Sequence, residues 1–142
     1  MRKILFRGKR TDNGEWVEGY ITRRPSPIQY GRHYSPWFID KPPSDPDDSS
    51  GFYNVDGETV GQFIGRTDKN GIKIFEHDIV KYQNDIFEVC YNEPHMMFYI
   101  FGLHGRGGVN GFTMTNTSSL EVVGNIFDNT ELRRKKSEEA KQ

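Results

Sequence analysis

Apolar positions in this chain fall in short runs that are broken by glycine, asparagine and aspartate. Ile4-Leu5-Phe6 lies between Arg2-Lys3 and Arg7-Gly8, and Asp12-Asn13-Gly14 leads into Glu15-Trp16-Val17-Glu18-Gly19-Tyr20-Ile21. That order predicts strand, tight turn, strand, because glycine supplies the positive φ that a type I′ or bulged hairpin turn needs. Residues 59–64 predict a further strand and Asp68-Lys69-Asn70-Gly71 a turn. Residues 72–82 then alternate and change face at Glu76-His77-Asp78, as a strand entered after a bend would. Four more strands are expected at residues 86–91, 96–101, 112–114 and 120–127. Short strands parted by turns predict a mainly β chain that ends in a small barrel.

Residues 23–56 break this rhythm. They hold all but one of the seven prolines and a run of Asp and Ser. Proline removes backbone donors and Asp and Ser bond their own backbone, so a long loop without regular elements is expected there. Tyr30, Tyr34, Trp37 and Phe38 would anchor it. The glycine-dense residues 102–111 predict a pliable loop, and the charged residues 131–142 a frayed helix end or disordered tail. The expected organisation is a hairpin and Pro/Asp-rich region over 1–56, a barrel domain over 57–130 and a tail over 131–142.

At 142 residues the chain suits one domain or two very small ones. With 34% apolar residues but 13% aromatic, it predicts a compact core rich in rings. The net charge of -1 excludes a global pull toward nucleic acid or an anionic membrane. The charge is uneven, however: residues 1–33 carry eight Lys and Arg against three acids, while residues 34–56 carry one against five. A lone Cys90 excludes an intramolecular disulfide framework and fits a reducing compartment, the cytoplasm. The basic start lacks an apolar signal region and no long apolar run follows, so no membrane span is expected.

The glycine-rich stretch Gly57-Glu58-Thr59-Val60-Gly61-Gln62-Phe63-Ile64-Gly65 has neither Walker nor dinucleotide-fingerprint spacing, and it reads as turn glycines around a strand. His33, His77, His95, His104 and Cys90 lack metal-ligand spacing, so no metal or other cofactor is expected. Cys90 alternates within a strand as a small buried hydrophobe; as a nucleophile it would need His77 or His95 beside it. Extended alternation would place Glu76 and Asp78 on one side, but the pattern fits a polar turn in which Asp78 accepts backbone N–H groups. With no catalytic set visible, the expectation is a non-enzymatic protein. Its aromatics outside a barrel core, Trp16, Tyr20, Tyr34, Trp37 and Phe38, are the expected interface anchors. The alternative is nucleic-acid binding through Arg2, Lys3, Arg7, Lys9, Arg10, Arg23, Arg24 and Arg106, with Phe6, Trp16 and Tyr20 interleaved.

Three blocks, "RKILFRGKRTDNGEWVEGY", "VDGETVGQFIGRTDKNGIKIFEHDIVKY" and "LEVVGNIFDNTEL", resemble in order the hallmark segments of the YopX family of bacteriophage and prophage proteins. The family pattern reads much like IYEGDIV where this chain has Ile74 to Val80, so His77 stands at a glycine position. The resemblance implies an SH3-like barrel in the C-terminal part and self-assembly into a homo-oligomer. It also implies an accessory role in a bacterial cytoplasm, with a host or phage protein as a further partner.

Overall fold

The computed structural model describes residues 2–24, 28–29, 32–33, 35–43, 51–103, 109–110 and 114–132. The strands are β1 (Phe6–Lys9), β2 (Trp16–Arg23), β3 (Ile28–Gln29), β4 (Arg32–His33), β5 (Trp37–Lys41), β6 (Gly51–Asn54) and β7 (Gly61–Thr67). They continue as β8 (Lys73–Phe75), β9 (Asp78–Tyr82), β10 (Asp85–Asn92), β11 (Met97–Gly102), β12 (Val109–Asn110) and β13 (Glu121–Asn125). Short 3-10 turns cover Gly57–Thr59 and Met114–Ser119. The chain is mainly β and forms two compact units, Met1–Phe63 and Ile64–Gln142.

In unit 1 the strands run in the order β6-β5-β2-β1-β7, and β7 continues into unit 2, where β8 is its neighbour. β1 and β2 pair antiparallel from Phe6 opposite Gly19 to Lys9 opposite Trp16, across a turn in which Gly14 has φ 73. Along β2 alternate side chains face opposite ways. Val17 goes inward to meet Ile39 and Val55, and Ile21, Trp37, Tyr53 and Val60 pack around this core. Val55 also ties the end of β6 to the end of β1. Its N–H donates to the Trp37 carbonyl, it bridges Arg10, and the N–H of Asp56 donates to the Lys9 carbonyl.

The Pro-rich segment departs from expectation here, because β5 and β6 are regular strands within it. Both occupy proline-free runs, so every residue keeps its backbone donor, and β5 is paired on both sides, with β2 and β6. Composition averaged over the segment hid these two runs.

Unit 2 is built on a sheet in the order β12-β11-β10-β9-β13. It is packed on both faces. Val80, Phe87, Val89 and Ile100 meet Ile74 and Leu120 on one side, while Ile79 meets Leu103 and Ile126 on the other. This two-sided burial explains the unbroken Asp78-Ile79-Val80 run of buried positions. Among the described residues the edge strands β12 and β13 do not pair with each other, so the sheet is open and the expected barrel is not closed. The strand expected at 112–114 is also absent at its one described position: Met114 opens a 3-10 turn, while 112 and 113 lie outside the described residues.

Candidate functional site

The outward face of unit 1 gathers six of the thirteen candidate cations and rings: Arg7, Lys9, Trp16, Tyr20, Arg24 and Phe38. The β2 register places Trp16, Glu18, Tyr20 and Thr22 on the side away from Val17. Strand pairing then makes rows: Tyr20 opposite Asp40 and Asp40 opposite Phe52, next to Thr22, Phe38 and Asn54. Phe38 and Phe52 stack with centroids 4.8 Å apart and planes 4° from parallel, and the Arg24 guanidinium lies 4.3 Å from the Phe52 centroid. Further along, Arg7 sits 4.7 Å and Lys9 5.5 Å from the centre of the Trp16 ring. Tyr20 is 55% and Phe52 42% exposed.

Several expected site residues have other surroundings. Trp37 lies on the inward side, half-buried against the Val17 cluster, and a β-carbon at Gly57 would overlap its indole. The first glycine of the sequence-singled stretch therefore makes room for a ring. Farther along, Gly65 and Gly71 carry the positive φ values of 89° and 78° that a side chain would strain. Arg10 is held by a bidentate bond to Asp12, at 2.9 and 2.7 Å, and lies over Tyr53. Arg23 lies 6.0 Å from the Trp37 ring centre. Tyr34, His104 and Arg106 are outside the described residues, as is the His33 side chain. Phe52, which lies within the Pro-rich segment, was missed by sequence reasoning; the only cue was a proline-free, aromatic Gly51-Phe52-Tyr53-Asn54 run.

The second candidate centre lies in unit 2, at the tight turn Glu76-His77 between β8 and β9. His77 has φ 73, so extended alternation does not carry across it and cannot pair Glu76 with Asp78. Asp78 is 1% exposed, and its carboxylate accepts the Phe75 N–H at 2.8 Å, closing the turn. The His77 N–H donates to the Val89 carbonyl and its own carbonyl accepts the Ile126 N–H. Its Nδ1 is 3.4 Å from a Glu88 carboxylate oxygen, and its ring meets Phe127 edge-on. Burial, followed by the charge of Glu88, pushes the Cys90 thiol up to about 12. The thiol stays protonated at neutral pH and is a poor nucleophile. His95 is exposed on the β10–β11 turn. Among the described residues no three His, Cys, Asp or Glu side chains gather as metal ligands.

A left-handed backbone costs a side chain about 1–2 kcal/mol. At position 77 this cost is offset by the Glu88 and Phe127 contacts. His77→Gly is therefore expected to unfold within about 0.5 kcal/mol of the parent, whereas the β-branched His77→Val should lose roughly 2 kcal/mol or more. Urea titration reads both. Equal stability of the two variants would show that φ does not limit this position.

The described residues thus form a two-unit, all-antiparallel β chain with a ring-and-cation face on unit 1. A family profile described as YopX protein matches residues 5–133, and the chain belongs to that family. Among solved structures it is similar to the crystal structure of protein EF1440 from Enterococcus faecalis, at 21% identity and a TM-score of 0.56. That likeness covers 94% of this chain and 99% of the other, and it concerns the fold. No curated protein matches.

Proposed function

We propose that the chain is a non-enzymatic binding and assembly module, a phage or prophage accessory protein of the bacterial cytoplasm. Its working surface is the ring-and-cation face of unit 1, and its first partner is a second copy of itself. Unit 2, SH3-like in the terms of the family resemblance, serves as scaffold. The observation that carries this reading is the stack of half-buried Phe38 on exposed Phe52 under Arg24, in line with Tyr20. Aromatic residues and Arg are what interface centres collect, and a ring 42% exposed gains free energy when a partner covers it. β6 is last in the sheet order, and its Asn54 end is already met by Thr11 and Arg10, so only its Gly51 end leaves a side for a covering partner. A protonated Cys90 supports the absence of thiol chemistry.

Light scattering at micromolar concentration should give a multiple of the 16.5 kDa chain mass. Phe52→Lys places a charge on the stacked surface and should weaken association by about tenfold or more, in line with the loss of a central aromatic contact. A single-chain mass for the parent protein overturns the assembly reading.

A further inference from the structure

An open cleft of about 610 Å³ lies at the end of the β1–β2 pairing, lined by Arg2, Lys3, Ile4, Phe6, Tyr20 and Ile21. Its origin is a divergence of strands. β1 and β2 keep register only as far as Phe6 opposite Gly19, after which β2 runs on beside β5 to Arg23. The chain before Phe6 stays instead with β7, since the Phe63 N–H donates to the Leu5 carbonyl at 2.8 Å. Register puts Phe6 and Ile21 on the Val17 side of this wedge and Tyr20 on the outward side, with Ile4 and the exposed Arg2 and Lys3 completing its lining. Its volume falls in the range of small-ligand sites.

Arg2 and Lys3 differ from Arg7, Lys9, Arg10, Arg23 and Arg24. Arg7 and Lys9 lie over Trp16, Arg10 holds Asp12, Arg23 lies near Trp37, and Arg24 covers Phe52. Among the described residues, Arg2 and Lys3 have no ion pair, hydrogen bond or ring partner. An occupant that satisfies this cleft carries negative charge for these two cations and a flat, largely apolar body for the walls. Tyr20, 55% exposed, offers that body a ring to stack on. We infer that the cleft binds single-stranded nucleic acid, with a base against Tyr20 and the adjoining phosphates at Arg2 and Lys3. Stacking on an aromatic beside a positive rim is how strands are held without reading their sequence. A duplex keeps its bases inside and leaves the walls uncovered. An acidic peptide would use the two cations but has no ring system to place on Tyr20 unless it is aromatic as well.

Fluorescence anisotropy of labelled oligo(dT) and oligo(U), each of about 15 nucleotides, tests this against a duplex of equal length at low salt, where phosphate contacts weigh most. Both single strands should bind more tightly than the duplex, and a preference for one tells DNA from RNA. Tyr20→Ala should weaken binding about tenfold, the scale of one lost base stack. The pair Arg2→Gln and Lys3→Gln should flatten the dependence of log K on log salt by about 1.4, at roughly 0.7 per phosphate on a single strand. All three positions are exposed, and an unchanged tryptophan-detected melt confirms that each variant is folded. No binding by the parent, equal binding of duplex, full displacement by poly-glutamate with no effect of Tyr20→Ala, or an unchanged salt slope each overturns the inference. Phe52→Lys should leave oligonucleotide binding intact, so failure of self-assembly and failure of this site read out separately.

Discussion

Asp68→Ala is expected to destabilise unit 2 by about 3 kcal/mol, because three backbone N–H groups lose their acceptor at once. Asp68 is 5% exposed and opens the turn between β7 and β8. One carboxylate oxygen accepts the N–H of Asn70 at 2.8 Å and of Ile72 at 2.9 Å. The other accepts the Val122 N–H of β13 at 2.9 Å, across 54 positions of sequence. The side chain thus shapes a local turn and fastens it to a distant strand. Asn70 and Ile72 are exposed and Val122 is half-buried, so water takes over part of the bonding and the loss is a fraction of the cost of each fully buried unsatisfied group, about 1–3 kcal/mol. Cys90, the lone thiol, lies in unit 2 and reports its opening to a thiol reagent. Labelling through that opening should speed up by about two orders of magnitude, since 1.4 kcal/mol is a factor of ten. A change below about tenfold would remove Asp68 from this role.

The same carboxylate sets an acid limit. Burial alone would raise its pKa. The N–H bonds from Val122, Ile72 and Asn70, with the charge of Lys69, outweigh burial and hold it below 3.8. A depressed folded-state value means that the stabilisation is complete above the unfolded value, about 3.9, and fades as pH falls through the folded one. Unit 2 of the parent should therefore weaken on acidification below about pH 4, while Asp68→Ala, which has nothing to protonate there, shows a smaller loss over that window.

Gly19→Ala should be the most damaging single methyl addition in unit 1. A β-carbon at this position would overlap the Asp40 backbone oxygen and press on Ile39, which is fully buried. Backbone has no other rotamer to adopt, so relief requires β2 and β5 to part at the centre of the sheet. The expected cost is about 3 kcal/mol, at the upper end for overpacked cores. Both tryptophans of the chain, Trp16 and Trp37, belong to unit 1 and flank this contact on β2 and β5. Their fluorescence should report a melting point lower by roughly 15 °C, given several degrees per kcal/mol for a unit of this size. A shift below about 3 °C would mean that the strands separate at little cost.

Legible in the sequence were the features whose physical demands are local. Asn13-Gly14 and Asn70-Gly71 require positive φ, which glycine gives without cost, and both glycines have it. Asp78 flanked by a turn has backbone donors within reach, and it does accept one from Phe75. The short alternating runs sufficed for a mainly β chain, and the three blocks of residues sufficed for the family.

What only the tertiary structure decided depends on residues far apart in the chain. Trp37 and Phe38 are neighbours of the same type in sequence, yet pairing with β2 turns one toward Val17 and the other outward onto Phe52. β5 and β6 exist because β2 supplies a partner for β5, which no average over a proline-rich segment registers. The cleft arises because β1 leaves β2 at Gly19 while Phe63, on β7, holds Leu5. A turn is determined by the dihedral angles of the residues that make it, whereas the face that a strand buries is determined by which strand comes to lie beside it.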